Sequence, residues 1–420
     1  MPKWQWILKT FGSKLWLRAT FFCLLGIFTA LFAFLVKDFI PDDIAGKVGV
    51  DAVDSILHII ASSMLAVTTF SLSTMVAAHA AASSSATPRA VTLLLEDRTA
   101  QNALSIFIGS FLYSLVGIIA LQIGIYGESG RLILFVVTLG VVFVITASLL
   151  TWIDHLSHLG RVGETIDVVE RTTAQALQQR LDEPYLGGTR LEQYVPAISH
   201  HAITHSQIGY IQNIDMQRLS DLAEDHEMEI FIRALPGAFS DSSKPVAYIS
   251  TPPDEKLLCL IRDAIVVNGN RSFEQDPRYG LIVLNEIGAR ALSPAVNDYG
   301  TAIDVIGTAV RLLIPWASQD PAGISEVHFP RVHVPALFAS DLYDDIFGSL
   351  ARDGAGMLEV TLRLQKAYAS LAAIGNEECI EQSRRYSALT LKYAQHALIL
   401  DEEKEALEAL VASPGSGVLS

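Results

Sequence analysis

Four long stretches of the chain contain no Asp, Glu, Lys or Arg. A helix needs about 20 apolar residues to cross a hydrocarbon core of roughly 30 Å. Because a lipid-exposed backbone must satisfy its own hydrogen bonds, each stretch should be helical. The pattern therefore predicts four transmembrane helices, at Ala19–Val36, Ser55–Ala82, Leu104–Tyr126 and Leu132–Ile153.

The charges that flank the first stretch predict the orientation of these helices. Lys3, Lys9, Lys14 and Arg18 precede it without an acid among them, whereas residues 37–54 carry five acids and two lysines. Loops on the cytoplasmic side of a membrane are enriched in Lys and Arg. The N-terminus is therefore predicted to be cytoplasmic, and four crossings return the chain to the cytoplasm, where the C-terminus also lies.

The pattern changes twice after the last apolar stretch. Helical spacing continues at first, and alternation near residue 207 then predicts three short strands around a helix capped by Asp215. Helical spacing resumes near residue 253, interrupted by a strand-like EVHFPRVHV at 326–334. The predicted helices are Glu255–Asn268, Arg278–Leu292, Thr301–Trp316, Ala336–Leu350, Met357–Ala373 and Glu377–Val411.

These elements predict an α-helical membrane protein. Its four transmembrane helices precede a mainly helical α+β cytoplasmic domain that contains a small β-rich module. The predicted segments are a four-helix transmembrane domain at 1–153, a juxtamembrane helical connector at 154–206, the β-rich module at 207–252, a helical cytoplasmic domain at 253–411 and a flexible tail at 412–420.

The second apolar stretch carries polar residues at helical spacing, which places them on one face of the helix. These pore-lining candidates are Ser55, His58, Ser62, Thr69 and Ser73. Two interpretations stay open. The stripe could pack tightly against another helix through its small residues and hydroxyls, or it could line a water-filled pore built from several copies.

The apolar stretches lack the charged groups that coupled transport requires. Leaving Cys and Tyr aside, His58 and His79 are the only acid or base side chains within them. Pumps and ion-coupled carriers place carboxylates or lysines at mid-depth, since they bind and release charge there. The sequence thus argues against a proton-coupled transporter but not against a channel, where hydroxyls, carbonyls or hydrophobic gates suffice.

Composition narrows the function further. Half of the 420 residues are hydrophobic, and the formal net charge is −15. A surface that binds nucleic acid needs a basic patch, so no nucleic-acid partner is expected. Cys23, Cys259 and Cys379 are far apart and odd in number, which predicts reduced thiols and no zinc site.

No motif in the chain supports an enzyme. The serines lie outside GxSxG and SxxK patterns, and no glycine-rich nucleotide fingerprint is present. NGNRSF at 268–273 is predicted to follow a helix, which is the wrong context for a phosphate cradle. His201 and His205 have the spacing of two metal ligands on a helix, but a solvated helix end is the favoured interpretation. We therefore expect no enzymatic activity, cofactor or metal.

Charged and polar residues concentrate in ARALSPAVNDYGTA, residues 289–302, and in a few segments before it. The candidates for a cytoplasmic hub or assembly site are Arg89, Asp97, Arg271, Asp276, Glu286, Arg290, Ser293, Asn297, Asp298 and Thr301.

Local structure explains most of the polar residues in this stretch. Glu286 and Arg290 are four residues apart, which favours a helical ion pair. Ser293, followed by Pro, and Thr301 resemble helix N-caps, and Asn297 suits a turn with left-handed backbone. The stretch is thus predicted to join two helices, and a charged hub at a subunit interface or below a pore remains the functional interpretation.

Three motifs carry a family resemblance: SSATPR at Ser84–Arg89, DRTAQ at Asp97–Gln101 and RALSPAVNDYGTA at Arg290–Ala302. They resemble the S-x-x-x-P-R, D-x-x-x-Q and R-A-L-S-P-(A/G)-x-N-D-P-x-T-A motifs of a bacterial family of predicted inner-membrane proteins, domain of unknown function 2254. Tyr299 departs from that pattern, because Pro is usual there. The resemblance implies four spans, a cytoplasmic domain and a multi-pass location in the bacterial inner membrane.

The function expected from these observations is an oligomeric inner-membrane ion channel or pore lined by the second span. The lipid bilayer, further copies of the chain and inorganic ions would be its partners, and the acidic outer loop weakly favours cations. The cytoplasmic domain would assemble subunits and gate the path. The alternative is a non-conducting membrane scaffold or sensor whose cytoplasmic domain binds a partner or a small ligand.

Overall fold

A computed structural model of the protein describes residues 50–95, 98–123, 128–191, 200–319 and 326–412, together with residues 20, 24 and 28. The first predicted span, Ala19–Val36, lies outside the described residues apart from those last three, and Asp97 also lies outside them.

The described residues form two compact units. The membrane-helix unit comprises the described parts of Ile7–Ser84 and Val91–Glu164, and the large unit comprises those of Ser85–Ala90 and Thr165–Ser420.

The described helices are α1 Val50–Ser85, α2 Pro88–Leu95, α3 Arg98–Gln122, α4 Glu128–His158, α5 Val162–Asp182, α6 Met216–Asp225, α7 Glu255–Ala264, α8 Pro277–Ala291, α9 Tyr299–Ala317, α10 Ala339–Asp353, α11 Leu358–Ile374, α12 Glu377–Ala397 and α13 Asp401–Ala412.

Short strands occupy the first half of the large unit. They are β1 Gly188–Leu191, β2 His201–Thr204, β3 Gly209–Ile214, β4 Ile230–Ile232, β5 Phe239–Ser240, β6 Pro245–Ile249, β7 Ile265–Asn268 and β8 Phe329–Pro335. Apolar helices followed by a mixture of helix and sheet confirm the predicted fold class at this level.

Four helical segments in the described chain are long and apolar enough to cross a membrane: Ala52–Ser84, Thr99–Gln122, Gly130–Ser157 and Tyr299–Ala317. The first three lie in α1, α3 and α4 and coincide with the second, third and fourth predicted spans. The fourth is α9, whose apolar side chains, including Val305, Ile306, Leu312 and Leu313, are buried. Its hydropathy is that of a helix that packs against α8 and α11 inside the large unit.

Helices α1, α3 and α4 pack side by side in the membrane-helix unit. Val53 and Leu57 of α1 meet Tyr113 of α3 and Leu134 of α4 in one buried cluster. A second cluster joins α1 to Phe107 of α3 and to Ile145 and Trp152 of α4, among others. The Tyr113 and Thr138 hydroxyls are 3.0 Å apart between α3 and α4, which satisfies two buried polar groups.

The strands of the large unit form two sheets. One has the order β1-β8-β4-β6-β2 and the other β5-β3-β7. The two pairs that β8 makes, with β1 and with β4, are parallel, and the remaining pairs in both sheets are antiparallel.

The three strands predicted around Asp215 are present as β3, β4 and β6, and Asp215 caps α6 by accepting the Arg218 amide at 3.2 Å. They do not form a sheet of their own, because β4 and β6 lie among β1, β2 and β8, which come from distant parts of the chain. β8 is the strand-like piece that the sequence predicted at 326–334. Backbone pairing thus extends well beyond residues 207–252.

Three predicted helices differ from the structure. The helix at Glu255–Asn268 ends at Ala264, because the β-branched Ile265–Val267 pairs with β3 as β7. The helix that continues the last span breaks at Gly160, whose φ of +85° lies in the left-handed region. The last helix divides into α12 and α13 around Leu398–Leu400.

Helix α8 crosses α5 at a point where no side chain fits. A Cβ on Gly280 of α8 would collide with the Thr173 hydroxyl and lie 2.7 Å from the Thr173 Cβ on α5. Glycine therefore permits the close approach of these two helices. Glycine has a lower helix propensity than alanine, and the close packing against α5 explains why it is present here.

Gly280→Ala should destabilise the large unit by about 1–3 kcal/mol, since α5 must move away from α8. Gly163→Ala is the matched control, because Gly163 lies on α5 with open space where its Cβ would be. The stability of both variants can be measured by urea unfolding of the full-length chain in detergent, with proteolysis of the large unit as the readout. Equal stability of the two variants would contradict the close crossing.

Candidate functional site

Asp276 is the N-cap of α8, and its carboxylate is held by several hydrogen bonds. It caps the helix by accepting the Tyr279 amide at 3.2 Å. Arg271 donates to it twice, from Nε at 2.7 Å and from Nη2 at 2.9 Å. The Asp276 side chain is 1% exposed, so a charge-assisted, two-pronged hydrogen bond replaces its hydration.

Arg271 lies on a loop whose context the sequence analysis predicted wrongly. NGNRSF follows the strand β7 and precedes α8, so it is part of a strand-to-helix loop. The N-terminus of α8 is capped by the carboxylate of Asp276, because that side chain accepts the Tyr279 amide. The pair between Arg271 and Asp276 therefore closes the loop onto its own helix.

Arg278, two residues further on, ties α8 to α10. Its guanidinium donates to Asp345 from Nε at 2.6 Å and from Nη2 at 3.1 Å, and its Nη1 lies 3.0 Å from Asp341. The Asn285 amide reinforces this contact by donating to the Asp345 carbonyl at 2.8 Å. Burial raises the pKa of Asp345, although hydrogen bonds from Arg278 oppose the shift.

Arg180, at the end of α5, is buried beside this cluster. Only 4% of the residue is exposed, and its Nη1 has no hydrogen-bond partner. Its Nη2 reaches the Gln275 carbonyl at a long 3.4 Å. Burial lowers the pKa of Arg180 to about 10, because desolvation disfavours the cation more than Asp276 and Glu183 favour it.

A cavity of about 690 Å³ in the large unit is lined by Arg180, Arg271, Asp276 and Arg278. The wall also contains the turn Pro236-Gly237-Ala238, Ser240 of β5 and Tyr248 of β6. Its cations are Arg180, Arg233, Lys244, Arg271 and Arg278, and its carboxylates are Asp276 and Asp341. A cavity of this size, with converging polar groups and a shifted pKa, is the usual form of a ligand site.

The turn at Gly237 is built around the buried ion pair. Gly237 has a φ of +93°, and a Cβ there would collide with the Asp276 carboxylate and approach Arg271 Nη2 to 2.7 Å. The sequence of this segment predicts only a turn. Glycine is required here both for its left-handed backbone and for its lack of a side chain.

Sequence reasoning found Arg271 and Asp276 but missed Arg180, Arg233, Ser240 and Lys244. A signal for Arg180 was present, because it follows Thr173 and Leu177 at helical spacing on the buried face of α5. An arginine in phase with a buried stripe needs a partner in the interior. The other three carry no local signal, since only the fold brings their segments to the cavity.

The signature stretch 289–302 joins α8 to α9, as predicted, but its caps differ. Asp298 is the N-cap of α9 and accepts the Thr301 amide at 3.0 Å and the Thr301 hydroxyl at 2.6 Å. Thr301 therefore lies inside the helix, and Ser293 lies in a turn without starting a helix. Asn297 has a φ of +51°, the left-handed conformation expected of it.

Glu286 pairs with Arg89, not with Arg290 as the helical spacing predicted. Its second oxygen accepts the Thr87 hydroxyl at 3.1 Å. Arg290 is exposed, and within the described chain its side chain has no ion-pair partner. The described hub candidates thus divide into separate places: the cavity wall, the contact with Ser85–Ala90 and the exposed α8–α9 turn.

The five pore-lining candidates share the exposed face of α1. Three of their hydroxyls donate to a carbonyl four residues earlier: Ser62 to His58 at 2.9 Å, Thr69 to Leu65 at 3.0 Å and Ser73 to Thr69 at 2.9 Å. His58 lies 3.7 Å from Asp54 at one end of the stripe.

The histidines before β3 lie in a strand or beside it and not at a solvated helix end. His201 is in β2, and His205 is 6% exposed. One ring nitrogen of His205 accepts the Gln207 amide at 3.1 Å, and the other lies 3.3 Å from the Arg262 carbonyl. Both nitrogens have protein partners, and the described residues contain no group of three or more side chains placed to hold a metal.

Replacement of the α9 cap tests the role of the signature stretch. Asp298→Ala should lower the free energy of unfolding of the large unit by about 1 kcal/mol, because the Thr301 amide loses its acceptor. Arg290→Ala should leave it nearly unchanged, since Arg290 is exposed. Urea unfolding of the full-length chain in detergent compares the two, and equal losses would argue against the capping role.

The pKa of Asp276 predicts a pH dependence of stability. Burial raises this pKa from 3.8 to about 6, although Arg271 opposes the shift. Between these pH values the folded state binds more protons than the unfolded state, so the carboxyl's contribution is most favourable below pH 4 and declines as pH rises through 6.

Asp276→Asn, which does not titrate, provides the reference. The stability of the wild-type chain relative to this variant should fall by up to about 3 kcal/mol between pH 4 and 7, at roughly 1.4 kcal/mol per unit of pKa shift. Urea unfolding in detergent across this range measures the difference. A difference that rises with pH would show that Asp276 titrates below its ordinary value.

Comparison with known proteins places the chain in a family. Uncharacterised proteins of Mycobacterium bovis and Mycobacterium tuberculosis are each 26% identical to it over 269 residues, which is 60% of this chain and 50% of theirs. The chain therefore spans about half the length of the curated relatives it matches. No solved structure matches it. The family described as predicted membrane protein (DUF2254) matches residues 12–370, and the chain belongs to that family.

Proposed function

We propose that the protein is an oligomeric ion channel of the bacterial inner membrane, with α1 lining the path. The large unit lies in the cytoplasm, where it assembles the subunits and gates conduction. The observation that carries the proposal is the polar stripe of α1, Ser55, His58, Ser62, Thr69 and Ser73, on the exposed face of the helix.

The stripe lies opposite the side of α1 that packs inside the membrane-helix unit. Val53, Leu57, Ile60 and Met64 are at most 6% exposed, and at about 100° per residue they fall roughly half a turn away from the stripe. A helix in contact with lipid alone would place its polar residues inward. The reverse arrangement supports a stripe that meets water or another copy of the chain.

Large apolar side chains border the stripe on both sides. Leu65 and Leu72 flank one side, and Ile59 and Phe70 flank the other, each at least half exposed. In a ring of subunits, such flanks would pack against neighbouring helices while the stripe faces the axis. The arrangement accommodates both interpretations of the sequence, packing and pore lining, within one oligomer.

The hydroxyls of the stripe suit cations. Because Ser62, Thr69 and Ser73 donate their protons to carbonyls within α1, their oxygens remain as acceptors on the exposed side. Oxygen acceptors can replace part of a cation's hydration shell. The acidic segment 37–54, which the positive-inside rule places outside, would add to this preference.

Purified full-length protein in planar bilayers should give unitary currents, and Thr69→Leu should reduce the unitary conductance severalfold by narrowing and drying the path. Thr74→Leu is the matched control. Thr74 makes the same internal hydrogen bond, to the Phe70 carbonyl at 2.9 Å, but it lies off the stripe. A reversal potential in a KCl gradient reports the expected preference for cations.

Silent bilayers from a well-folded oligomer would overturn the proposal, and so would equal effects of Thr69→Leu and Thr74→Leu. Native mass spectrometry in detergent establishes that the same oligomer is present in each sample. A non-conducting oligomer would leave the alternative, a membrane scaffold or sensor, in which the stripe is a packing surface between copies.

A further inference from the structure

We propose that the cavity in the large unit, between the end of α5, the strands β4 to β6 and the start of α8, binds the oxyanion group of a small molecule. The group is a phosphate or a carboxylate, and Arg180 and Ser240 are its direct ligands. This site does not depend on ion conduction, because its residues all lie in the large unit.

Two buried donors in the cavity wall have no partner. Arg180 is 4% exposed and its Nη1 makes no hydrogen bond, and Ser240 is 2% exposed with an unpartnered Oγ. Most buried polar groups in folded proteins are satisfied, so two orphans that line one cavity point to a ligand that satisfies them. Both groups are hydrogen-bond donors, and an oxyanion offers several lone pairs to accept from them.

The way in which the charged residues of the wall pair with each other also points to a bound anion. Asp276 is held by Arg271, Arg278 is held by Asp345 and Asp341, and Lys244 lies 4.0 Å from Asp241. Within the described chain Arg180 forms no direct ion pair, since Asp276 is engaged on both oxygens by Arg271 and, like Glu183, favours the Arg180 charge only through space. A buried guanidinium without a directly paired carboxylate is costly, and a bound anion would supply that partner.

The shape of the wall fits a ligand larger than a single ion. A volume of about 690 Å³ is within the range of small-molecule sites. Leu235, Val246 and Leu337 provide apolar surface beside the cations. The planar guanidinium of Arg180 presents a fork that matches phosphate and carboxylate oxygens. The oxyanion would therefore anchor one end of an organic molecule.

The test measures binding to the detergent-solubilised full-length chain by calorimetry and by the thermal unfolding midpoint. The probes are sodium phosphate and sodium malonate, with sodium chloride at matched ionic strength as the reference. Either probe should raise the midpoint above that in chloride, and the more effective of the two identifies the anchoring group. No difference from chloride for both probes would overturn the proposal.

Three variants locate the site. Arg180→Met, which keeps most of the apolar stem, should weaken binding by about tenfold to a hundredfold, the effect of losing a hydrogen bond to a charged group. Ser240→Ala should weaken it by about fivefold, the effect of losing a neutral donor. Arg352→Met is the control, because Arg352 is exposed and pairs with Asp353 outside the cavity.

The unliganded midpoint separates binding from folding. Arg180→Met removes a buried, incompletely satisfied charge, so it should keep or raise the midpoint while abolishing the shift caused by the probe. If Arg180→Met fails to fold, Ser240→Ala still decides the question, since it deletes a single oxygen. Unchanged affinity in Ser240→Ala, or an equal loss in Arg352→Met, would overturn the assignment.

Discussion

The large unit depends on keeping the carboxylate of Asp276 buried. An ionised carboxylate in the interior costs several kcal/mol unless it is paired and hydrogen-bonded. Arg271 donates to both of its oxygens, and the Tyr279 amide of α8 donates a third hydrogen bond. Gly237 leaves room for the pair because it has no side chain. One buried charge therefore fixes a loop, a turn and the start of a helix.

Helix α8 connects this buried ion pair to the other helices of the large unit. Gly280 admits α5 at close range, Arg278 reaches two carboxylates of α10, and Glu286 holds Arg89 and Thr87. These contacts of α8, which all precede the signature stretch 289–302, thus hold the helices together. Arg180 differs from these residues, because the Nη1 atom of its buried guanidinium has no hydrogen-bond partner, and this makes the cavity the best candidate for a binding site.

The membrane-helix unit follows a different rule. Apolar contacts and the Tyr113–Thr138 hydroxyl pair join its described helices, while α1 carries its polar stripe outward. Back-bonding to carbonyls satisfies the serine and threonine protons inside the helix. The stripe therefore remains compatible with a membrane while its oxygens stay available to water, ions or another copy of the chain.

The sequence alone determined those features that depend on local pattern. Uniform apolar composition identified α1, α3 and α4, and capping side chains such as Asp215 marked helix starts. Tertiary structure decided the rest. Ile265–Val267 became a strand because β3 was available to pair with it. Glu286 pairs with Arg89 and not with Arg290. The pair with Arg290, four residues along the same helix, would contribute only a few tenths of a kcal/mol. The cavity draws its wall from segments far apart in the chain, and no local pattern records which residues will meet there.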